Sequence, residues 1–223
     1  MNGVGEHVAK KRILIVDDHP MVREGLRMRI SLQPDLEVCG EAEDVREAMA
    51  LIERARPDLV IVDISLKSGS GIDLLKRIKS HDDKIKLLVL SMYDETLYAE
   101  RALRAGASGY LNKQASREKV IEAVLTVLAG ERYLSHETTD RLVGQALGGG
   151  KRPKASRVEG LSDRELEVFR LIGSGLTTGT IAERLHLSTH TIDSHRESIK
   201  RKLNLQNAAE LAQHAVQWVL GNS

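Results

Sequence analysis

A chain of 223 residues suits two small domains with separate cores better than one large one. Charged residues make up 29% and the net charge is +1, which excludes a chain-wide basic field and confines any nucleic-acid contact to a local patch. No apolar run is long enough to span a bilayer, the N-terminal MNGVGEHVAK lacks the apolar centre of a signal peptide, and Cys39 is the only cysteine, so a reducing, cytoplasmic setting without membrane contact is expected.

The first element is RILIV, an apolar run that suits a parallel strand covered on both faces. It ends in Asp17 and Asp18. Adjacent carboxylates repel unless a cation neutralises them, so the pair reads either as a solvated loop or as part of a divalent-metal site. An amphipathic stretch follows at 21–30, then strand LEVCGEA, helix 45–55, strand LVIVDI, helix 72–79, strand KLLVLS, helix 96–105, strand GYLN and helix 117–128. Strand and helix alternating in this way predict a parallel sheet with helices on both faces and a site at the strands' carboxyl ends. After Glu131 the pattern weakens. Residues 135–158, which include the stretch ALGGGKRPKAS, read as a flexible linker. Residues 159–223 read as short helices without strands, a small all-α domain.

Asp63 closes the third strand, Ser91 the fourth, and Lys113 follows the fifth. With Asp17 and Asp18 they form a set that the fold should gather. Two or three carboxylates can hold an octahedral magnesium that accepts phosphate oxygen. A carboxylate beside it can become an aspartyl phosphate, which a lysine and a hydroxyl then neutralise and hydrogen-bond. Singly, each residue is an ordinary surface or capping group. As an ordered set over residues 10–134 they resemble the receiver domain of two-component response regulators, a flavodoxin-like (βα)5 fold with a five-stranded parallel sheet.

The resemblance implies that Asp63 accepts phosphate from a sensor histidine kinase. It also implies Mg2+ on Asp17, Asp18, Asp63 and the Ser65 backbone carbonyl. Ser91 would be the switch hydroxyl, Tyr110 the rotating aromatic and Lys113 the phosphate-neutralising lysine, with phosphorylation drawing Ser91 and Tyr110 inward. Gln114 departs from the pattern, since many relatives have proline or an acid there; a trans peptide after Lys113 fits that departure. On the residues alone, Tyr110 also reads as a half-buried strand aromatic and His19 as a loop residue.

In the second domain, Ile181, Ala182 and Leu185 can pack one short helix. Leu187 and Ser188 make a turn, with Ser188 as N-cap, and Ile192, Ile199 and Leu203 give the next helix a buried side. The words LSDREL, Gly175-Leu176, TIAERLHLSTHTIDSHRESIKRKL and an amphipathic helix over 208–220 resemble the four-helix helix-turn-helix domain of NarL/FixJ-type regulators. The resemblance places the second helix in the major groove of double-stranded promoter DNA. Candidate contacts are Thr189, His190, Asp193, Ser194, Arg196, Glu197, Lys200, Arg201 and Lys202, of which Arg196, Lys200, Arg201 and Lys202 can meet phosphates. Seven Lys and Arg stand against eight Asp and Glu from Glu159 onward, so one copy should bind DNA weakly and a homodimer formed on activation better. His186, His190 and His195 have no cysteine among them and do not read as a metal site.

The expectation is a cytoplasmic, DNA-binding response regulator and not an enzyme. A magnesium phosphatase with an aspartyl nucleophile is the enzymatic rival, but the second acid often found two residues after the nucleophile in such hydrolases is here Ser65. A regulator that ignores phosphorylation is opposed by the complete acid, Ser and Lys set. A helical protein-interaction module competes for the second domain because of its acids.

Overall fold

The computed structural model describes residues 9–66, 69–93, 95–146, 157–185 and 187–221. The strands are β1 (Lys11–Val16), β2 (Leu36–Ala42), β3 (Leu59–Val62), β4 (Lys86–Ser91) and β5 (Gly109–Asn112). The helices alternating with them are α1 (Pro20–Ser31), α2 (Val45–Ala55), α3 (Gly71–His81), α4 (Glu95–Arg104) and α5 (Arg117–Leu128). The strands form one parallel sheet in the order β2-β1-β3-β4-β5.

Residues 13–16, 59–62 and 87–90 are buried at every position. The pleat explains why these runs are apolar throughout: successive side chains point to opposite faces, and both faces are covered. Leu14, Val16, Val60, Val62, Leu87 and Val89 pack with α2, α3 and α4. Ile13, Ile15, Leu59, Ile61, Leu88 and Leu90 pack with α1 and α5. The chain runs from β1 outward to β2 and then back past β1 to β3, so the crevice beyond the ends of β1 and β3 is the switch point where such sheets hold ligands.

Gly71 opens α3 against that crevice, and a Cβ there would lie 2.1 Å from the Asp63 carbonyl oxygen. Only glycine lets the helix start so close to the strand that carries Asp63.

The linker expected over 135–158 is corrected in its first half, which is the helix α6 (His136–Ala146) packed against α4. Ser135 Oγ accepts from the Thr138 amide at 3.2 Å, the Ser135 amide donates to Glu95 at 2.7 Å, and Thr138 is fully buried. A capping serine and an anchoring residue thus start a helix whose apolar positions are too few to announce it. Residues 147–156 of the expected linker lie outside the described residues.

A 3-10 turn (Arg157–Gly160) leads into α7 (Asp163–Gly173), α8 (Thr178–Leu185), α9 (Thr189–Leu203) and α10 (Ala208–Gly221). Ser162 and Glu165 form a reciprocal capping box at the start of α7. Phe169 of α7 meets Trp218 of α10 at 5.7 Å between ring centroids.

Candidate functional site

The carboxyl ends of β1, β3, β4 and β5 bring Asp17, Asp63, Ser91 and Lys113 together as expected. Asp17 and Asp63 are only 2% and 3% exposed, and two carboxylates buried side by side need a counter-charge. Lys113 supplies one, with Nζ at 2.7 Å from both Asp17 Oδ2 and Asp63 Oδ2. Burial acts against its ammonium, but Asp63 and Asp17 outweigh burial and its pKa is raised. Burial pushes the Asp63 carboxyl up to about 6 against the pull of Lys113, with Asp17 adding to the rise. At neutral pH it remains mostly a carboxylate.

Lys113 leaves charge uncompensated. Asp63 Oδ1 and Asp18 Oδ1 are buried without a hydrogen bond. Asp17, Asp18, His19 and Asp63 each offer a ligand atom within 4.8 Å of the others. This donor set fits a small divalent cation, and oxygen dominance favours a hard one. His19, read from the sequence as a loop residue, belongs to the cluster. Its amide donates to Asp17 Oδ1 at 2.9 Å, and its Nδ1 lies 2.7 Å from Asp18 Oδ1 without hydrogen-bond alignment. The signal was its adjacency to the acid pair. The Ser65 backbone lies beside the Asp63 carboxylate.

Ser91 is fully buried and its Oγ accepts from the Tyr93 amide at 3.3 Å. Tyr110 is 1% exposed, and its hydroxyl donates to the Tyr93 carbonyl at 2.9 Å. The half-buried reading of Tyr110 is therefore corrected, and the ring already lies inward. The peptide after Lys113 is trans.

In the second domain Ser188 caps α9, accepting from the Thr191 amide at 3.0 Å. Thr189, His190, Asp193, Ser194, Glu197 and Arg201 are exposed, and Arg196 and Lys200 are half-buried, so the receiver domain does not cover this face. The cations are not equally available. Lys202 Nζ sits 2.6 Å from Glu165 of α7, Lys200 lies 2.8 Å from Glu197, and Arg201 donates to Ser198 at 3.3 Å. Among the described residues Asp193 and Arg196 make no ion pair. His195 is half-buried, with its pKa lowered by burial and then by Arg164; His186 lies outside the described residues.

A family model of response regulator receiver domains matches residues 13–125, and one of bacterial regulatory proteins of the luxR family matches residues 159–215. The oxygen regulatory protein NreC of Staphylococcus carnosus (strain TM300) is 37% identical over 209 residues, covering 92% of this chain and 96% of that protein. A LuxR-family two-component response regulator from Aurantimonas sp. SI85-9A1 is similar in structure over 62% of this chain and 99% of its own, with a TM-score of 0.58 and 34% identity. RcsB from Salmonella enterica serovar Typhimurium, bound to promoter rprA with the phosphomimetic BeF3-, matches over 93% of this chain and 98% of its own, with a TM-score of 0.64 and 28% identity. No helix among the described residues is long and apolar enough to cross a membrane. With an acid pocket on a five-stranded parallel sheet, a capped second helix in a four-helix domain, and both family models matched in that order, the chain belongs to the DNA-binding two-component response regulators of the LuxR type.

Proposed function

We propose that Asp63 takes a phosphoryl group from a sensor histidine kinase in the cytoplasm and that the phosphorylated chain binds promoter DNA as a homodimer. The observation that carries this reading is the Asp63 carboxylate: one oxygen is held by Lys113, the other has no partner, and both lie beside Asp17 and Asp18. In the transfer an Asp63 oxygen attacks phosphorus, the bond from phosphorus to the kinase imidazole nitrogen breaks, and the nitrogen takes its proton from solvent. Lys113 and the Ser91 hydroxyl stabilise the new oxyanions. Mg2+ on Asp17, Asp18, Asp63 and the Ser65 carbonyl would supply charge neutralisation. Residues 10–134 would make the receiver, and 159–223 the DNA-binding domain.

Because Tyr110 is already inward, phosphorylation would hold the Ser91 and Tyr110 arrangement rather than swing the ring in from solvent. Because the outward face of α9 is already exposed, phosphorylation need not uncover it. Control by pairing two weakly binding copies fits better, and solved relatives include two RcsB dimers bound to two parallel DNAs. Genome-wide mapping of bound DNA tests the reading. Cells carrying Asp63→Asn are expected to lose most of the wild-type sites, and unchanged occupancy would establish a phosphorylation-independent regulator.

Asp193 is the proposed base reader. An acid near phosphates repels them, yet it accepts a hydrogen bond from cytosine N4, a contact worth about 1–3 kcal/mol against the wrong base. Glu197 is engaged by Lys200, whereas Asp193 points outward without an ion pair among the described residues. In binding titrations at fixed salt, Asp193→Ala is expected to weaken native-site binding and flatten discrimination at one position of each half-site. Glu197→Ala should instead strengthen binding to every sequence by freeing Lys200. A uniform rise for Asp193→Ala would reduce it to a repulsive neighbour of the backbone.

A further inference from the structure

Tyr93 lies between two chemistries. Its amide is fixed to Ser91 Oγ at the end of β4, and its hydroxyl lies beside the Ser65 hydroxyl, two residues beyond Asp63. The ring therefore bridges the ends of β4 and β3 at the edge of the acid pocket, and it is only 9% exposed. Tyr98 supports it from within the receiver, with centroids 4.8 Å apart. The support on another side comes from the DNA-binding domain. Arg170 of α7 stacks its guanidinium 4.1 Å from the Tyr93 ring centroid and donates from Nη2 to the Tyr93 hydroxyl at 2.5 Å. A second contact fixes the same helix: Asp163, in the first turn of α7, accepts from Lys76 of α3 at 3.0 Å and from Arg101 of α4 at 2.9 Å.

We propose that Arg170 is a positioning residue for the phosphoryl chemistry, clamping Tyr93 as a shield over the path of water to phosphorylated Asp63. This rests on Asp63 being the phosphoacceptor. Loss of the phosphoryl group requires a water oxygen to reach phosphorus opposite the bond to Asp63. The new bond forms as the old one breaks, Asp63 leaves as a carboxylate, and the water proton passes to solvent. A ring held across the gap between the strand ends obstructs that approach; a ring free to turn does so less. Docking of the DNA-binding domain then sets the lifetime of the signal. By thermodynamic linkage, the arrangement of Tyr93 in the phosphorylated receiver also biases docking. Arginine suits the role because its planar group can stack on the ring and reach the hydroxyl together, which an ammonium cannot.

The test measures the half-life of the phosphoryl group on full-length protein after labelling with a small phosphodonor and Mg2+ and removal of the donor. Tyr93→Ala and Arg170→Ala are each expected to shorten it about fivefold, the factor that loss of about 1 kcal/mol of part-buried cation–π contact implies. The double variant should be no shorter than the shorter single one. Asp163→Ala, which touches neither Tyr93 nor the pocket, should shorten the half-life as well by loosening α7, and Arg170→Lys should restore part of it. A general loss of structure would depress Trp218 fluorescence and the initial labelling rate together, whereas a lost shield moves only the half-life. Wild-type half-lives in Arg170→Ala and Asp163→Ala would overturn the proposal, also if Tyr93→Ala alone is shortened. Wild-type protein that takes no label, or an Asp63→Asn variant that keeps it, would instead overturn the phosphoacceptor reading and the proposal with it.

Discussion

Asp63→Asn protein incubated with a small phosphodonor and Mg2+ is expected to take up no acid-stable, base-labile label, while wild type is labelled at that residue alone. The loss should be complete because no other carboxylate among the described residues combines the same features. Asp17 is hydrogen-bonded from Lys113 and from the His19 amide, and Asp18 lies at the more exposed edge. Among the described residues, Asp63 alone has a buried oxygen without a hydrogen bond together with Lys113 on the other. Asparagine preserves the side-chain volume and removes one of two buried like charges, so the variant should melt no lower than wild type. That separates chemistry from folding. Undiminished label in the variant would move the acceptor elsewhere. Steady release of phosphate from small phosphomonoesters by wild type would point to the hydrolase, although Ser65 gives such a reaction no acid two residues beyond the nucleophile.

The receiver strands were legible because a strand covered on both faces must be apolar at every position, and Ile13, Leu14, Ile15 and Val16 write that requirement directly. The acid, Ser and Lys set was legible because parallel topology brings strand ends together whatever the loops do. Helix α6 was not, since its first turn is secured by Ser135 and Glu95, residues 40 positions apart. Nor was the aim of individual cations. Lys202 lies on a helix expected to face DNA, but its Nζ turns to Glu165, 37 positions earlier in the chain. The meeting of Tyr93 with Arg170 spans 77 positions and two domains, and neither residue's local pattern announces it. Periodicity reports which side of an element is buried; it does not report which partner arrives there.

Glu165→Ala is expected to cost the DNA-binding domain most of its stability. Glu165 is a nearly buried acid that closes the capping box by accepting from the Ser162 amide at 2.6 Å. It also accepts from Ser198 at 2.7 Å and from Lys202 at 2.6 Å, both on α9, so one side chain ties the start of α7 to the DNA-facing helix. Burial opposes its charge, but Lys202, Ser198 and Ser162 prevail and hold its pKa down at about 2. Since the folded value lies below the ordinary glutamate value of 4.5, the stabilisation is present above about pH 4.5 and is lost as pH falls toward 2. Its size is on the order of 2 kcal/mol once the partly exposed Lys202 end is discounted for solvent screening. Alanine removes this charge contribution and the cap, and it leaves Ser162, Ser198 and Lys202 without their acceptor, for a combined loss of about 3–5 kcal/mol. A helical domain of this size has only about 3–9 kcal/mol in total. Urea unfolding followed by Trp218, the only tryptophan, isolates this domain because that ring packs on Phe169 of α7. The midpoint should fall sharply in Glu165→Ala and less in Glu165→Gln, which can still cap. Wild type should lose stability between about pH 4.5 and 2 more steeply than either variant, in the interval set by its lowered pKa. Parallel pH curves for all three proteins would show that the contacts to Lys202 and Ser198 do not hold α9 in place, and that the helix owes its position to Ile192, Ile199 and Leu203 alone.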